Sequence, residues 1–249
     1  MDKGLQDFEN RKPLILDILR KRDFDVICFQ EVMPEAYMWL KDALPDFEFT
    51  GCGRLEDFSD EAVPIAFKKD RFTVADAGTF WLSNTPDIPG SRCGASYWPR
   101  ICTWASVCVK NDMCAAGSAA GASAFRIYNT HLDNEYKSSA RCGTELILSR
   151  ISDTYAADRL PVILTGDMNS TPDSEIIKRL ESGSEPRLID HTAGLAATSH
   201  GYGKIEEKID YVFTDSTWAS EGAELIKAVK DGVYISDHWP VCVKLTHID

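Results

Sequence analysis

Short apolar, β-branched runs alternate with amphipathic helical segments from one end of this chain to the other. That alternation constrains the fold more than any other feature. Runs at 25–31, 47–52, 63–68, 72–76, 101–110, 125–130, 161–165, 208–214, 224–230 and 240–246 have the length and composition of strands. Helical spacing occurs near 9–22, where Leu14, Ile15, Ile18 and Leu19 form a stripe and Pro13 is placed in the first turn. Pro34 opens a second helix with Tyr37, Leu40 and Leu44 on its inner side, and a third covers 137–157 through Leu146, Ile147, Ile151 and Tyr155. A fourth is read from Thr171 as N-cap, with Pro172 at the first helical position, to about Leu180. The small-residue stretch 111–123 reads as a loop. Strands outnumber helices, both interleave throughout, and no repeat or linker interrupts them. The expectation is a single α/β domain over residues 1–249 with more than one sheet.

Composition narrows the function classes. The chain carries 39 acidic against 27 basic residues, a net charge of −12, which argues against a broad nucleic-acid-binding face. No apolar run reaches the ~18–20 residues of a membrane span. The opening residues MDKGLQDFENRK lack the apolar core of a signal peptide. None of the eight cysteines forms a C-x-x-C pair, which speaks against a zinc knuckle. Cys28, Cys108 and Cys242 fall in strand-like runs and read as buried, reduced thiols. A reduced, cytoplasmic protein is expected, with a disulfide left open among the loop cysteines.

Polar clusters fall at or just after strand ends, where open α/β sheets gather ligands. They are Gln30-Glu31, Asn129-Thr130-His131-Leu132-Asp133, Gly166-Asp167-Met168-Asn169, Lys208-Ile209-Asp210-Tyr211 and Ser236-Asp237-His238-Trp239-Pro240. Singly, each has a plain structural reading: a helix-dipole acid, a satisfied core histidine, an Asx turn, a loop closure. Five such coincidences are less economical than one site. Carboxylates with Asn169 favour a hard, oxygen-loving cation, Mg²⁺ or Mn²⁺. A carboxylate beside an imidazole supplies a base and its orienting partner. A second histidine, if protonated, could stabilise charge on a phosphoryl oxygen. Together they describe metal-assisted attack of water on phosphorus.

In order along the chain, DVICFQEV, NTHLDN, VILTGDMNSTPDS, KIDYVFTD and ISDHWPV resemble the endonuclease/exonuclease/phosphatase superfamily. VPIAFKKDRF, TFWLS and WPRICTW are similar to a bacterial-type branch rather than to the DNA-repair branch. The resemblance implies a four-layer αββα sandwich, DNase I-like, with the site at one end. It implies Glu31 as metal ligand with Asp237 near the metal. Asp167 would activate or position water, and Asn169 would fix that aspartate and the phosphate. Asp210 would orient His238, which acts as base or contacts the phosphate. His131 would stabilise the transition state, supported by Glu61, with Asp133 in the same motif; Arg100 would contact phosphate, against a plain surface reading. Such proteins begin with a strand ending in an asparagine near the metal. The opening residues offer neither, and Asn10 falls in the helix start.

The expected activity is that of a divalent-metal-dependent phosphodiesterase or phosphatase acting, as a monomer, on a phosphorylated small molecule or short nucleic acid. A nuclease is the first alternative, since Lys68, Lys69 and Arg71, and the aromatics Trp81, Tyr97, Trp98 and Trp104, could track a polyanion. The plain readings are a solvated hairpin and core packing. A non-catalytic, degenerate binding module is the alternative of another class.

Overall fold

The computed structural model describes residues 4–110, 124–183 and 185–248; the loop expected over 111–123 lies outside the described residues. The elements run α1 (Phe8–Lys21), β1 (Val26–Cys28), α2 (Pro34–Ala43), β2 (Phe47–Thr50), β3 (Ile65–Lys68), β4 (Phe72–Trp81), β5 (Ile101–Val109) and β6 (Ala124–His131). They continue with α3 (Lys137–Asp158), β7 (Val162–Asp167), α4 (Glu175–Glu181), β8 (Ile189–Asp190), β9 (Asp210–Thr214) and β10 (Trp218–Leu225). The chain closes with β11 (Val229–Lys230), β12 (Val233–Tyr234) and β13 (Val241–His247).

A six-stranded mixed sheet, ordered β4-β5-β6-β7-β9-β8, forms one inner layer. The other inner layer is two ladders, β1-β3-β2 and β10-β13. Ile65, Phe67, Phe72, Val107, Phe125 and Ile163 fill the space between them, with Val26, Cys28, Trp218 and Leu245 packed alongside. On the outer face of the long sheet, Ile147 and Ile151 of α3 and Ile176, Ile177 and Leu180 of α4 cover Tyr128, Leu164 and Phe213. On the opposite outer face, Leu19 of α1 and Leu40 of α2 cover Ile27, Phe47 and Phe49. The result is the expected α/β sandwich of four layers. Each fully buried Leu, Ile or Phe contributes about 1.5–3 kcal/mol.

Several local expectations are corrected. α1 starts at Phe8, with Asp7 capping the Glu9 amide, so Pro13 lies in the second turn. The N-cap of α4 is Ser174, whose hydroxyl accepts from Ile177 N, and not Thr171, whose hydroxyl is spent on Asp173. β4 runs on past Asp76 to Trp81 because a bulge at Val74/Asp76 absorbs the change of face. The run at 224–230 is split between the end of β10 and the short β11. The reduced reading of the cysteines is corrected at one place: Cys93, in the β4–β5 connection, is disulfide-bonded to Cys142 of α3. Cys28, Cys108 and Cys242 are free thiols. No helix among the described residues is long and apolar enough to cross a membrane.

Candidate functional site

Strand register builds the centre of the site. In the long sheet His131 on β6 pairs with Asp167 on β7, and Asp167 pairs with Asp210 on β9. Three chemistry-bearing side chains therefore stand in one row across adjacent strands, at the carboxyl ends of the parallel pair. Gly166 makes this row possible. Its φ is +152°, and a Cβ there would meet the Thr130 carbonyl oxygen at 2.1 Å. Only glycine lets β6 and β7 approach this closely.

The remaining groups are brought to the row by loops. His238 reaches it from the segment before β13 and places Nδ1 2.9 Å from Asp210 Oδ2. Thr198, fully buried, holds both partners: its hydroxyl accepts from Ile209 N and Asp210 N, and its carbonyl accepts from Trp239 N. Glu31 follows β1 at φ +56°. It is presented by Asn129, a fully buried residue of β6. Asn129 accepts from Gln30 Nε2 at 2.7 Å and donates to the Phe29, Val63 and Pro64 carbonyls, so it ties the two sheets together. Asn169 sits in the left-handed region at φ +46°; its amide donates to Asp167 Oδ1 at 2.8 Å and its Nδ2 to the Leu132 carbonyl.

Electrostatics sort these groups. Burial and the neighbouring Asp210 charge push the Asp167 carboxyl well above the usual range. Burial pushes His238 down, but its hydrogen bond to Asp210 and the charges of Asp210, Asp167 and Asp237 outweigh it, raising it to about 9. His131 goes the other way: burial first, then the charges of Arg100, His238 and Arg54, hold it far below the usual imidazole range. These influences disfavour the charged form of His131. His131 lies 3.6 Å from Asp167 and 4.0 Å from Glu31, too long for hydrogen bonds.

The residues that could hold a cation divide into two sets. The ligand atoms of Asp167, Asp210 and His238 lie within 4.8 Å of one another. Glu31 and Asp237 stand outside that grouping. The surrounding protein and the charges of Glu61 and Asp237 push Glu31 upward. Among the described residues no lysine or arginine comes within 4.0 Å of Glu31, Asp167, Asp210 or Asp237. Several carboxylates converging without such a partner, all offering oxygen, fit a hard divalent cation.

A second wall is built from loops. A small cleft is lined by Glu31, Arg54, Glu61, Val63, Pro99, Arg100, Ile101 and His131. Arg100 donates Nη2 to Asn134 Oδ1 at 3.0 Å, and its Nε is buried without a partner. Glu61 does not support His131 as expected; its carboxylate is taken by Arg54 Nη1 at 2.6 Å. Asp133 is also drawn away from the chemistry: it accepts from the Glu135 and Tyr136 amides and from Ser96 Oγ, organising the turn before α3.

Sequence reasoning missed Arg54, which is 6 % exposed and pairs with both Glu61 and Asp60. The acid-rich stretch 56–61 was the only signal that a counter-ion was needed. It also missed His200, stacked 3.9 Å from Trp239 with both ring nitrogens unpartnered. The buried pair Lys208–Asp190 beside β9 went unseen as well.

A sequence profile described as the Endonuclease/Exonuclease/phosphatase family matches residues 6–238. An uncharacterized protein of Acanthamoeba polyphaga mimivirus is 24% identical over 225 residues, which is 83% of this chain and 79% of that protein. The mannosyl-6-phosphatase of Bacteroides thetaiotaomicron VPI-5482 superposes with a TM-score of 0.84 at 26% identity, covering 97% of this chain and 92% of that one. An endonuclease/exonuclease/phosphatase from Bacteroides vulgatus gives 0.86 at 26% identity, covering 98% and 93%.

Proposed function

Because this chain belongs to the endonuclease/exonuclease/phosphatase family, whose members are metal-dependent phosphoric ester hydrolases, we propose that its cleft hydrolyses the phosphoester of a small molecule. The preferred class is a phosphomonoester of a compact alcohol. The observation that carries the hydrolytic reading is the row His131–Asp167–Asp210, closed by the Asp210–His238 hydrogen bond. Two further facts favour a small substrate. The cleft's basic groups are confined to Arg54 and Arg100, and Arg54 is already neutralised by two acids. The chain also resembles a mannosyl-6-phosphatase over nearly its full length.

Each group then has a task. Asp167, held by the Asn169 amide, accepts the proton of the attacking water. Its raised pKa makes it a better base near neutral pH than an ordinary carboxylate. Oxygen of that water bonds to phosphorus, the bond from phosphorus to the alcohol oxygen breaks, and the departing oxygen takes up a proton from solvent to leave as the alcohol. His238 turns Nδ1 to Asp210, which leaves Nε2 to hold a phosphoryl oxygen as negative charge builds. His131 donates one further hydrogen bond, and Arg100 draws the phosphate into the cleft. Glu31 and Asp237, with Asn169, would hold Mg²⁺ or Mn²⁺. That cation, when bound, polarises the phosphoryl group and offsets the converging carboxylates.

The test is hydrolysis of p-nitrophenyl phosphate and bis(p-nitrophenyl) phosphate with Mg²⁺, with Mn²⁺ and with EDTA. The expected result is metal-dependent turnover that is faster on the monoester. Faster turnover of the diester would favour a nuclease-like activity. No turnover of either in any metal would return the chain to the class of binding modules.

A further inference from the structure

The connection between β4 and β5 presents a tryptophan that the fold could have buried. Trp81, at the end of β4, is 3 % exposed, whereas Trp98 keeps 52 % of its surface. Exposure alone says little, but the indole rests on a fixed partner and its backbone is held. It lies against the Arg54 guanidinium, 5.0 Å from its centre, in a cation–π contact. Arg54 is pinned by Glu61 and Asp60, and its carbonyl accepts from Trp81 Nε1 at 2.6 Å. The Trp98 carbonyl is held by Ser96 Oγ at 2.7 Å. An exposed side chain tied to a buried, doubly paired arginine has little conformational entropy left to lose on meeting a ligand.

Its position gives the ligand. Pro99 and Arg100, the next residues, line the cleft together with Arg54 and Glu61. A phosphate held by Arg100 must send its alcohol portion out of the cleft, and Trp98, two residues before Arg100 and seated on the cleft residue Arg54, is the exposed aromatic beside that lining. The open part of an indole takes the C–H face of a ring by dispersion and hydrophobic contact. Glu61 and Asp60, at the same edge, offer carboxylate oxygens that accept from hydroxyl groups and repel a second phosphate. An aromatic face flanked by carboxylates suits a neutral polyol ring.

We propose that Trp98, seated on Arg54, is the platform for the polyhydroxylated ring of the leaving alcohol, and that it selects sugar phosphates over ringless or nucleoside phosphates. This rests on the reading of the cleft as a phosphomonoesterase. Trp98 is a specificity-determining residue, and Arg54 positions it.

The experiment compares kcat/KM for mannose 6-phosphate, glycerol 3-phosphate and adenosine 5′-monophosphate in Mg²⁺, for the wild-type chain, Trp98→Ala and Trp98→Phe. The thermal midpoint of each variant checks folding. The ratio of kcat/KM for the hexose phosphate to that for glycerol phosphate should fall about tenfold in Trp98→Ala, the loss expected for about 1.4 kcal/mol of ring contact. Trp98→Phe should restore most of it. An equal loss on both substrates, or an unmoved ratio, overturns the platform. A larger loss on the nucleotide than on the hexose phosphate overturns the sugar assignment in favour of base stacking. If the wild-type chain turns over none of the three, the phosphomonoesterase reading itself falls, and the platform with it.

Discussion

The two sides of the candidate site, the strand row that reaches the cleft through His131 and the loops around Arg54 and Arg100, are made in different ways. On one side, His131, Asp167 and Asp210 take their places from the hydrogen-bonded register of β6, β7 and β9. On the other, Arg54, Glu61, Trp98 and Arg100 are placed by ion pairs and a ring contact on loops where Phe58 and Asp60 hold φ values of +62° and +69°. Backbone ladders over-determine position; loop ion pairs can be exchanged without disturbing the sheet. On the proposed reading, chemistry belongs to the strand wall and substrate choice to the loop wall. It also means that substitutions on the two walls should fail in different kinetic parameters.

The largest effect should come from removing the cation. EDTA is expected to abolish phosphoester turnover and Mg²⁺ to restore it, because among the described residues Glu31, Asp167, Asp210 and Asp237 have no lysine or arginine within 4.0 Å. Turnover surviving in EDTA would break the metal half of the strand wall. His238→Ala comes next, with kcat down about 10³-fold as a transition-state contact is lost. Steady-state kinetics with intact secondary structure by circular dichroism checks it.

Gly166→Ala tests whether the ladder sets the chemistry. The added Cβ meets the Thr130 carbonyl oxygen at 2.1 Å, so β6 and β7 must separate. A loss of about 3 kcal/mol in stability is expected, accompanied by a drop in kcat, as read by urea unfolding and kinetics. Normal stability and kcat would show that the close approach is unnecessary. Asp210→Asn should change the pH profile more than the fold. His238, raised to about 9, stays protonated below that pH and loses its proton as pH rises through it. Without the Asp210 charge the proton leaves earlier, so the alkaline fall in activity should move to lower pH. An unmoved alkaline limb would separate His238 from Asp210.

On the loop wall, Arg54→Gln should raise KM several-fold while kcat falls less than about tenfold, the pattern of lost ground-state binding. A collapse of kcat instead would merge the two walls. Cys93→Ser should affect activity least. The disulfide to Cys142 closes a sequence separation of 49 residues, worth up to about 4 kcal/mol on chain-entropy grounds. The expected result is a lower thermal midpoint with kcat nearly unchanged.

The strand wall was legible in the sequence because its residues follow apolar runs of clear period. DVICFQEV, NTHLDN and GDMN place a polar group where a strand ends, whereas the expectation of strand ends is corrected for KIDY, whose Asp210 opens β9, and for SDH, which lies in the loop before β13. The alternation pointed to a single α/β domain with more than one sheet, and the four-layer sandwich was what the family resemblance of these motifs implied. The loop wall was not legible. Arg54 looks like any surface arginine until the chain brings Glu61 and Asp60 around it, and its ring contact with Trp98 spans 44 positions of sequence. The role expected for Glu61 failed for that reason: local sequence did not reveal that Arg54 would claim its carboxylate. Asn129 and Thr198 were missed as organisers because a buried amide or hydroxyl declares its partners only in three dimensions. The Cys93–Cys142 link joins a loop to a helix, a pairing that spacing cannot choose.

The central claim is that Asp167, at the middle of the row, takes the proton from the attacking water. Its most direct test is kcat of Asp167→Asn on p-nitrophenyl phosphate at saturating Mg²⁺, in a variant whose thermal midpoint matches the wild type. The account predicts a fall of about 10³-fold or more. A variant that keeps more than about a tenth of wild-type kcat would contradict it, because no general base contributing the usual ~10²–10⁴-fold could then sit at that position.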